Sequence, residues 1–231
     1  MAAIKKDTVL KNLNEIGILP LFYHSDPSLV IDVIKACYDA GVRNFEFVDR
    51  GDNTLTVLRE LFKYAENYMP DMAIGVGTVY TPEKAKLYIN EGAHFIVSPA
   101  LIPDVGKVCI ESDVPWLPGV GTFTEIYQAM QAGADVVKLY PSVSIGSAFI
   151  RTVKNPMPNV KILASGGPKG NKESIEEWFG AGAFAISISS YFFPDHIIEN
   201  RDFEWIKRQV SESINFVKAF RLKELYLAEE I

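Results

Sequence analysis

Short apolar runs rich in β-branched and aromatic residues recur along the chain at intervals of roughly 20–30 residues. They are Ile18–Tyr23 (ILPLFY), Asn44–Val48 (NFEFV), Ala73–Gly77 (AIGVG), His94–Ser98 (HFIVS), Pro115–Pro118 (PWLP), Asp135–Leu139 (DVVKL), Val160–Ala164 (VKILA) and Phe184–Ser189 (FAISIS). Each has the length and residue types of a strand. Between them lie segments whose apolar residues return at three- and four-residue steps, as on one face of a helix. The clearest are Pro27–Ala40 (PSLVIDVIKACYDA), Pro82–Asn90 (PEKAKLYIN) and Lys172–Phe179 (KESIEEWF). Each ends near a glycine, Gly41, Gly92 or Gly180, a residue able to take the left-handed conformation that closes a helix. The unit of helix, glycine and strand recurs as DAGVRNFEF, NEGAHFIVS, QAGADVVKL and GAGAFAISI.

Eight such alternations predict a closed parallel (β/α)8 barrel, a single domain over residues 1–231. The strands are apolar on both faces, as expected where helices cover the outside. A doubly wound open sheet is the alternative, since periodicity fixes the alternation of elements but not their closure. The first residues, MAAIKKDTVLKNLNEIG, read as an amphipathic N-terminal helix. The segment from Phe203 to Ile231 reads as a long C-terminal helix with a stripe of Phe203, Ile206, Val210, Ile214 and Val217. That stripe predicts a helix closing against the barrel, in preference to one that binds a partner.

Composition narrows the function classes. With 48% hydrophobic residues in 231, the chain can build a large core without staples. Its net charge of −6 argues against a nucleic-acid partner, because phosphate neutralisation needs a basic surface. Two cysteines, Cys37 and Cys109, are too few for a disulfide framework and fit a reducing cytoplasm. No signal-peptide core and no apolar stretch long enough for a membrane span are expected. The three histidines, His24, His94 and His196, lack metal-ligand spacing.

Catalytic groups of such barrels gather at the C-terminal ends of the strands. Glu46 sits inside an apolar strand run, and Arg50 follows four positions later at the strand exit. That spacing allows both side chains one face, either as part of a site or as a structural ion pair at the barrel mouth. Lys138 is likewise surrounded by apolar residues in DVVKLYP. Lysine is rarely buried without a reason; desolvation and a nearby cation, for which Arg50 is a candidate, favour the free nucleophilic amine. A lysine snorkelling to the rim is the plainer reading. Thr78 ends the third strand after Gly75 and Gly77, which would let a ligand approach the backbone closely. Ser165-Gly166-Gly167 ends the seventh strand and Ser189-Ser190 the eighth. Loops at these places commonly hold phosphate, although a glycine pair also makes an ordinary tight turn.

In order and spacing, FEFVDR, GVGTVY, FIVSPAL, PGVGTFTE, VKLYP and the late glycine pair resemble the 2-keto-3-deoxy-6-phosphogluconate (KDPG) / 4-hydroxy-2-oxoglutarate (KHG) aldolase family. The likeness runs from about Ile18 to Pro194. It implies a barrel, usually a homotrimer, that performs class I aldol chemistry with no metal or other cofactor. It places the Schiff-base lysine at Lys138, the general acid/base at Glu46, and the carboxylate-binding residues at Arg50, Thr78 and Ser165. It places a strand-end proline at Pro99 and the phosphate site at Gly166, Gly167 and Ser190, with Ser189 beside it. The implied partner is a small 2-keto acid, cleaved to pyruvate and an aldehyde. Some positions depart from the pattern: Ser165 for threonine, Tyr140 for phenylalanine, Tyr23 for arginine and Ser189 for glycine, and Pro168 removes a backbone N–H. These changes leave open another 2-keto-3-deoxy acid, such as the phosphogalactonate epimer, a different phosphate-binding barrel, or a catalytically silent metabolite binder.

Overall fold

The structure, a computed structural model, describes residues 4–229. The ends of both terminal helix predictions, Met1–Ala3 and Glu230–Ile231, lie outside the described residues. The strands are β1 (Ile18–Phe22), β2 (Asn44–Val48), β3 (Ala73–Gly77), β4 (Ile96–Val97), β5 (Trp116–Leu117), β6 (Gly119–Val120), β7 (Val137–Leu139), β8 (Ile162–Ser165) and β9 (Ala185–Ile188). All pairings are parallel, in the order β5-β4-β3-β2-β1-β9-β8-β7-β6. The predicted fifth strand is thus two short pieces joined by Pro118, which has no N–H to give a ladder. β5 pairs with β4 and β6 pairs with β7, so the chain itself closes the ring. The eight staves of a barrel result, and the open-sheet alternative is set aside.

The helices are α1 (Lys6–Ile16), α2 (Pro27–Asp39), α3 (Thr54–Tyr68), α4 (Pro82–Glu91), α5 (Pro103–Glu111), α6 (Phe123–Gln131), α7 (Ser142–Ile145), α8 (Ser147–Lys154), α9 (Lys172–Gly180), α10 (Asp195–Glu199) and α11 (Phe203–Glu229). Their starts follow local chemistry. Proline occupies the first turn of α2, α4 and α5, where its missing N–H costs nothing. Thr122 and Glu125 cap α6 reciprocally: the Thr122 hydroxyl accepts from the Glu125 N–H, and the Glu125 carboxylate accepts from that hydroxyl and the Gly121 N–H. Gly41 and Gly92 close their helices at positive φ, as expected. Gly180 does not: it is the last residue of α9, and Gly182, at φ 98°, makes the reversal.

Alternation along each stave gives two cores. Outward residues such as Phe45, Phe47 and Ile186 pack against helix residues such as Val30 and Ile34 of α2. Inward residues Leu19, Ala73, Phe95, Val97, Leu117, Val136, Leu163 and Ala185 fill the barrel and meet Val9 and Leu13 of α1. One turn apart, Val9 and Leu13 plug the N-terminal end, and their burial contributes at most about 3–6 kcal/mol. The Asn44 amide, donating to the Val9 carbonyl at 2.8 Å, fixes the plug.

The closing role of α11 is borne out through its middle. Ile206, Val210, Ile214 and Val217 are buried, with Phe203 partly buried beside them. Arg221 ends the docking by donating to the carbonyls of Asn14 and Glu15. Beyond it Leu222, Leu225, Tyr226 and Leu227 are exposed.

Candidate active site

β2 and β7 stand four staves apart whichever way the ring is counted, so they face each other across the barrel. Glu46 on β2 and Lys138 on β7 both point inward. The Lys138 Nζ donates to the Glu46 carboxylate at 3.2 and 3.4 Å, with side-chain exposures of 8% and 1%. Desolvating two charges is costly unless they pair closely, and here each supplies the partner the other needs. The pair forms the floor of a cavity of about 560 Å³ at the C-terminal end of the strands. Leaving Lys138, the Tyr140 ring lies 5.7 Å from the ammonium, a favourable cation–π approach.

The possible Glu46–Arg50 ion pair does not form. β2 ends at Val48, so strand alternation does not carry on to Arg50. Arg50 is exposed at the cavity wall and makes no ion pair with a described residue. The residue before it is fastened. The Asp49 N–H donates to the Gly77 carbonyl at 2.9 Å. The Asp49 carboxylate, only 5% exposed, meets the Lys84 Nζ of α4 at 2.6 Å. Burial, and after it this carboxylate, push the Tyr88 hydroxyl above its ordinary range. Sequence reasoning missed this anchor.

The glycines of β3 make room for protein groups, where the sequence suggested ligand. A Cβ on Gly77 would lie 1.9 Å from the Glu46 Oε1, and one on Gly75 would lie 2.2 Å from the Phe95 ring. Thr78, next in the chain, has φ 64°. A β-branched residue there stores strain on the order of 1–3 kcal/mol, and Thr78 lines the cavity.

The loops after β8 and β9 form the other wall. Ser165, Gly166, Gly167, Ser189 and Ser190 all line the cavity, as do Pro99, Pro168, Lys169, Ser187 and Tyr191. Gly166 has φ 73°, and a Cβ there would meet the Tyr140 ring at 3.0 Å. A Cβ on Gly167 would lie 2.8 Å from the Val143 N. Packing against the Tyr140–Val143 turn therefore requires small residues here, whatever else binds. Ser187 is buried, and its hydroxyl has no hydrogen-bond partner among the described residues. Neither Lys169 nor Ser187 was singled out from sequence. A lysine in an exposed loop carries no burial anomaly, though its closeness to the glycine pair was a signal. Tyr23 packs its ring on Phe47, and its hydroxyl lies against Gly51.

Other candidates stay outside. Cys37 and Cys109 are buried, and burial pushes the Cys109 thiol up to about 12, so it stays protonated and unreactive. His94 contacts the backbone of Ile74 at the opposite end of the barrel. A larger cavity, about 660 Å³, lies at that end between Phe62, Met69, His94 and Val114. Its charged lining residues are exposed or half-buried, whereas the smaller cavity holds a buried lysine against a buried carboxylate, so the smaller cavity is the candidate site. Among the described residues no helix is long and apolar enough to cross a membrane. Nor do three or more His, Cys, Asp or Glu side chains converge there to hold a metal.

Residues 9–209 match the family model described as KDPG and KHG aldolase. The chain is 25% identical over 211 residues to a 2-dehydro-3-deoxy-phosphogluconate aldolase of Haemophilus influenzae, covering 91% of this chain and 97% of the relative. It is 26% identical over 196 residues to a 2-dehydro-3-deoxy-6-phosphogalactonate aldolase of Escherichia coli, covering 84% and 90%. Its fold superposes on the crystal structure of the 4-hydroxy-2-oxoglutarate/2-dehydro-3-deoxyphosphogluconate aldolase from TTHB1 with a TM-score of 0.78. The identity there is 25%, over 90% of this chain and 98% of that one.

Proposed function

Because the chain belongs to the KDPG and KHG aldolase family, we propose that it is a class I aldolase whose Schiff base forms on Lys138. The substrate is a 2-keto-3-deoxy-6-phospho sugar acid or 4-hydroxy-2-oxoglutarate, and the products are pyruvate and an aldehyde, glyceraldehyde 3-phosphate or glyoxylate. One observation carries the reading: a lysine and a carboxylate, both buried, meet at 3.2 Å on the floor of an open cavity.

The Lys138 ammonium passes a proton to Glu46, and the freed amine attacks the C2 ketone. Glu46 returns a proton as the carbinolamine loses water, leaving a protonated imine. Glu46 then accepts the proton of the C4 hydroxyl. The C3–C4 bond breaks, its electrons move into the iminium, and the aldehyde departs from the enamine of pyruvate. Glu46 protonates C3, and water hydrolyses the imine to pyruvate and the starting ammonium. One carboxylate serves throughout because the base of each step is the acid of the next. Arg50, Thr78 and Ser165 hold the C1 carboxylate, Arg50 through its unpaired guanidinium. Gly166, Gly167, Ser189 and Ser190 receive the far end of the substrate.

The exposed stripe Phe123, Tyr127 and Met130 along α6 supports self-association, and the family resemblance makes a homotrimer the expected state. Light scattering on the purified chain tests that state. Borohydride reduction in the presence of pyruvate tests the chemistry. It should add a reduced pyruvyl group to Lys138, and the adduct and substrate cleavage should both vanish in Lys138→Ala. Lys138→Arg should not restore them, since guanidinium keeps its proton. A pyruvyl adduct persisting in the alanine variant would move the nucleophile to another lysine.

A further inference from the structure

Two cations line the cavity besides the Glu46-paired Lys138, and they sit at different walls. Arg50 follows β2 and Lys169 follows β8, three staves apart around the ring. Lys169 makes no ion pair with a described residue, whereas Lys172, three positions on, already approaches Glu176. We propose that Lys169 is a specificity-determining residue, the cation that reads an anionic group on the tail of the substrate. The proposal rests on the keto-acid reading above and extends it to the other end of the molecule.

The loop that carries Lys169 is fastened at several points. The Gly166 carbonyl accepts from the Val143 N–H at 2.9 Å. The Lys169 N–H donates to the Ser174 hydroxyl at 2.9 Å. The Gly170 carbonyl accepts from the buried Ser213 hydroxyl at 2.8 Å, and a Cβ on Gly170 would lie 2.3 Å from that oxygen. The lysine backbone is thus held against α9 and α11, and only its side chain has to order when a ligand arrives. The same bonds explain why a side-chain charge is needed. Pro168 has no N–H, and the N–H of Lys169 is already used. From Gly166 to Lys169, only the Gly166 and Gly167 N–H groups remain without an acceptor among the described residues. Two neutral donors hold an anion less firmly than donors joined by an ammonium, because charge-assisted bonds are about twice as strong. Phosphate and carboxylate tails share this chemistry, with the dianionic phosphate gaining more.

The test compares the unmodified chain with Lys169→Met and Lys169→Arg on three keto acids: one with a 6-phosphate tail, its unphosphorylated counterpart, and 4-hydroxy-2-oxoglutarate. In Lys169→Met the preference for the phosphorylated acid over its neutral counterpart, as a ratio of kcat/KM, should fall roughly ten- to a hundredfold. Lys169→Arg should keep most of it. A smaller fall for 4-hydroxy-2-oxoglutarate marks phosphate as the preferred tail, and a larger one marks carboxylate. Calorimetric titration with inorganic phosphate gives an activity-independent arm, in which Lys169→Met should weaken binding at least tenfold. An unchanged ratio together with unchanged phosphate binding would overturn the proposal. Borohydride trapping of pyruvate reports on Lys138 alone, so its failure would strike the Schiff-base reading and leave the Lys169 result standing.

Discussion

Gly77→Ala tests the position of Glu46 without replacing either reacting side chain. The added methyl would sit 1.9 Å from the Glu46 Oε1 and 2.7 Å from its carboxyl carbon. A carbon–oxygen contact needs more than 3 Å, so the carboxylate must retreat by about 1 Å or more. Gly77 has no positive φ, so alanine brings no backbone strain. In open space it would even stabilise by roughly 0.4–1 kcal/mol through the unfolded chain. The sign is therefore set by the clash. Retreat of Glu46 lengthens its 3.2 Å contact with Lys138. Complete rupture of a buried pair costs about 3–5 kcal/mol. Because this pair opens on one side to the cavity, the expected loss is nearer 2 kcal/mol, a fall in Tm of about 4–8 °C. A displacement of about 1 Å at the acid/base should lower kcat roughly a hundredfold. Steady-state cleavage, borohydride trapping rate and a thermal melt measure these together. Wild-type kcat in a stable Gly77→Ala variant would refute the assignment of Glu46 as the group that moves the protons.

Two further outcomes follow from the structure. Asp49→Ala releases the anchor beside Arg50, and the exposure of Lys84 makes the ion pair itself worth little; KM should rise about tenfold with kcat within a fewfold, and a fall in kcat at constant KM would contradict this. Burial holds the His94 imidazole below its ordinary value of 6.5, against the opposing pull of the Ile74 backbone. Its contribution to stability is therefore complete above about pH 6.5 and is lost as pH falls through the lower folded value; His94→Gln should flatten the acid side of a Tm–pH profile, and parallel profiles would show that His94 does not titrate this way.

Lys138 and Glu46 were legible in the sequence because a charge inside an apolar run conflicts with the cost of burying it. Such a conflict says that a partner exists but does not name it. The nearest candidate, Arg50 at four residues, lost to a partner 92 residues away. Local alternation ends with β2 at Val48, whereas the true neighbour depends on which staves stand opposite once the ring closes. Closure depended in turn on a detail that periodicity blurs. Pro118 splits the fifth strand, and its two halves pair on opposite sides.

The same limit explains the misread glycines and the missed lysine. A glycine announces that something comes close, and the sequence leaves open whether that is ligand or protein. At Gly75 and Gly77 the visitors are Phe95 and Glu46. Lys169 made no such announcement, because a charged residue in a loop violates no rule of burial or backbone. Its significance comes from two facts that only coordinates supply: Lys169 lines the cavity, and its own N–H is already engaged by the Ser174 hydroxyl. In the proposed site the head of the substrate meets residues that break local rules, so they stand out. The proposed tail site is made of ordinary loop residues, and loops of that kind can change their side chains at little cost to the barrel. If that division holds, substrate preference in this chain should move with substitutions at Lys169 and Ser189, while the pyruvyl chemistry stays tied to Lys138 and Glu46.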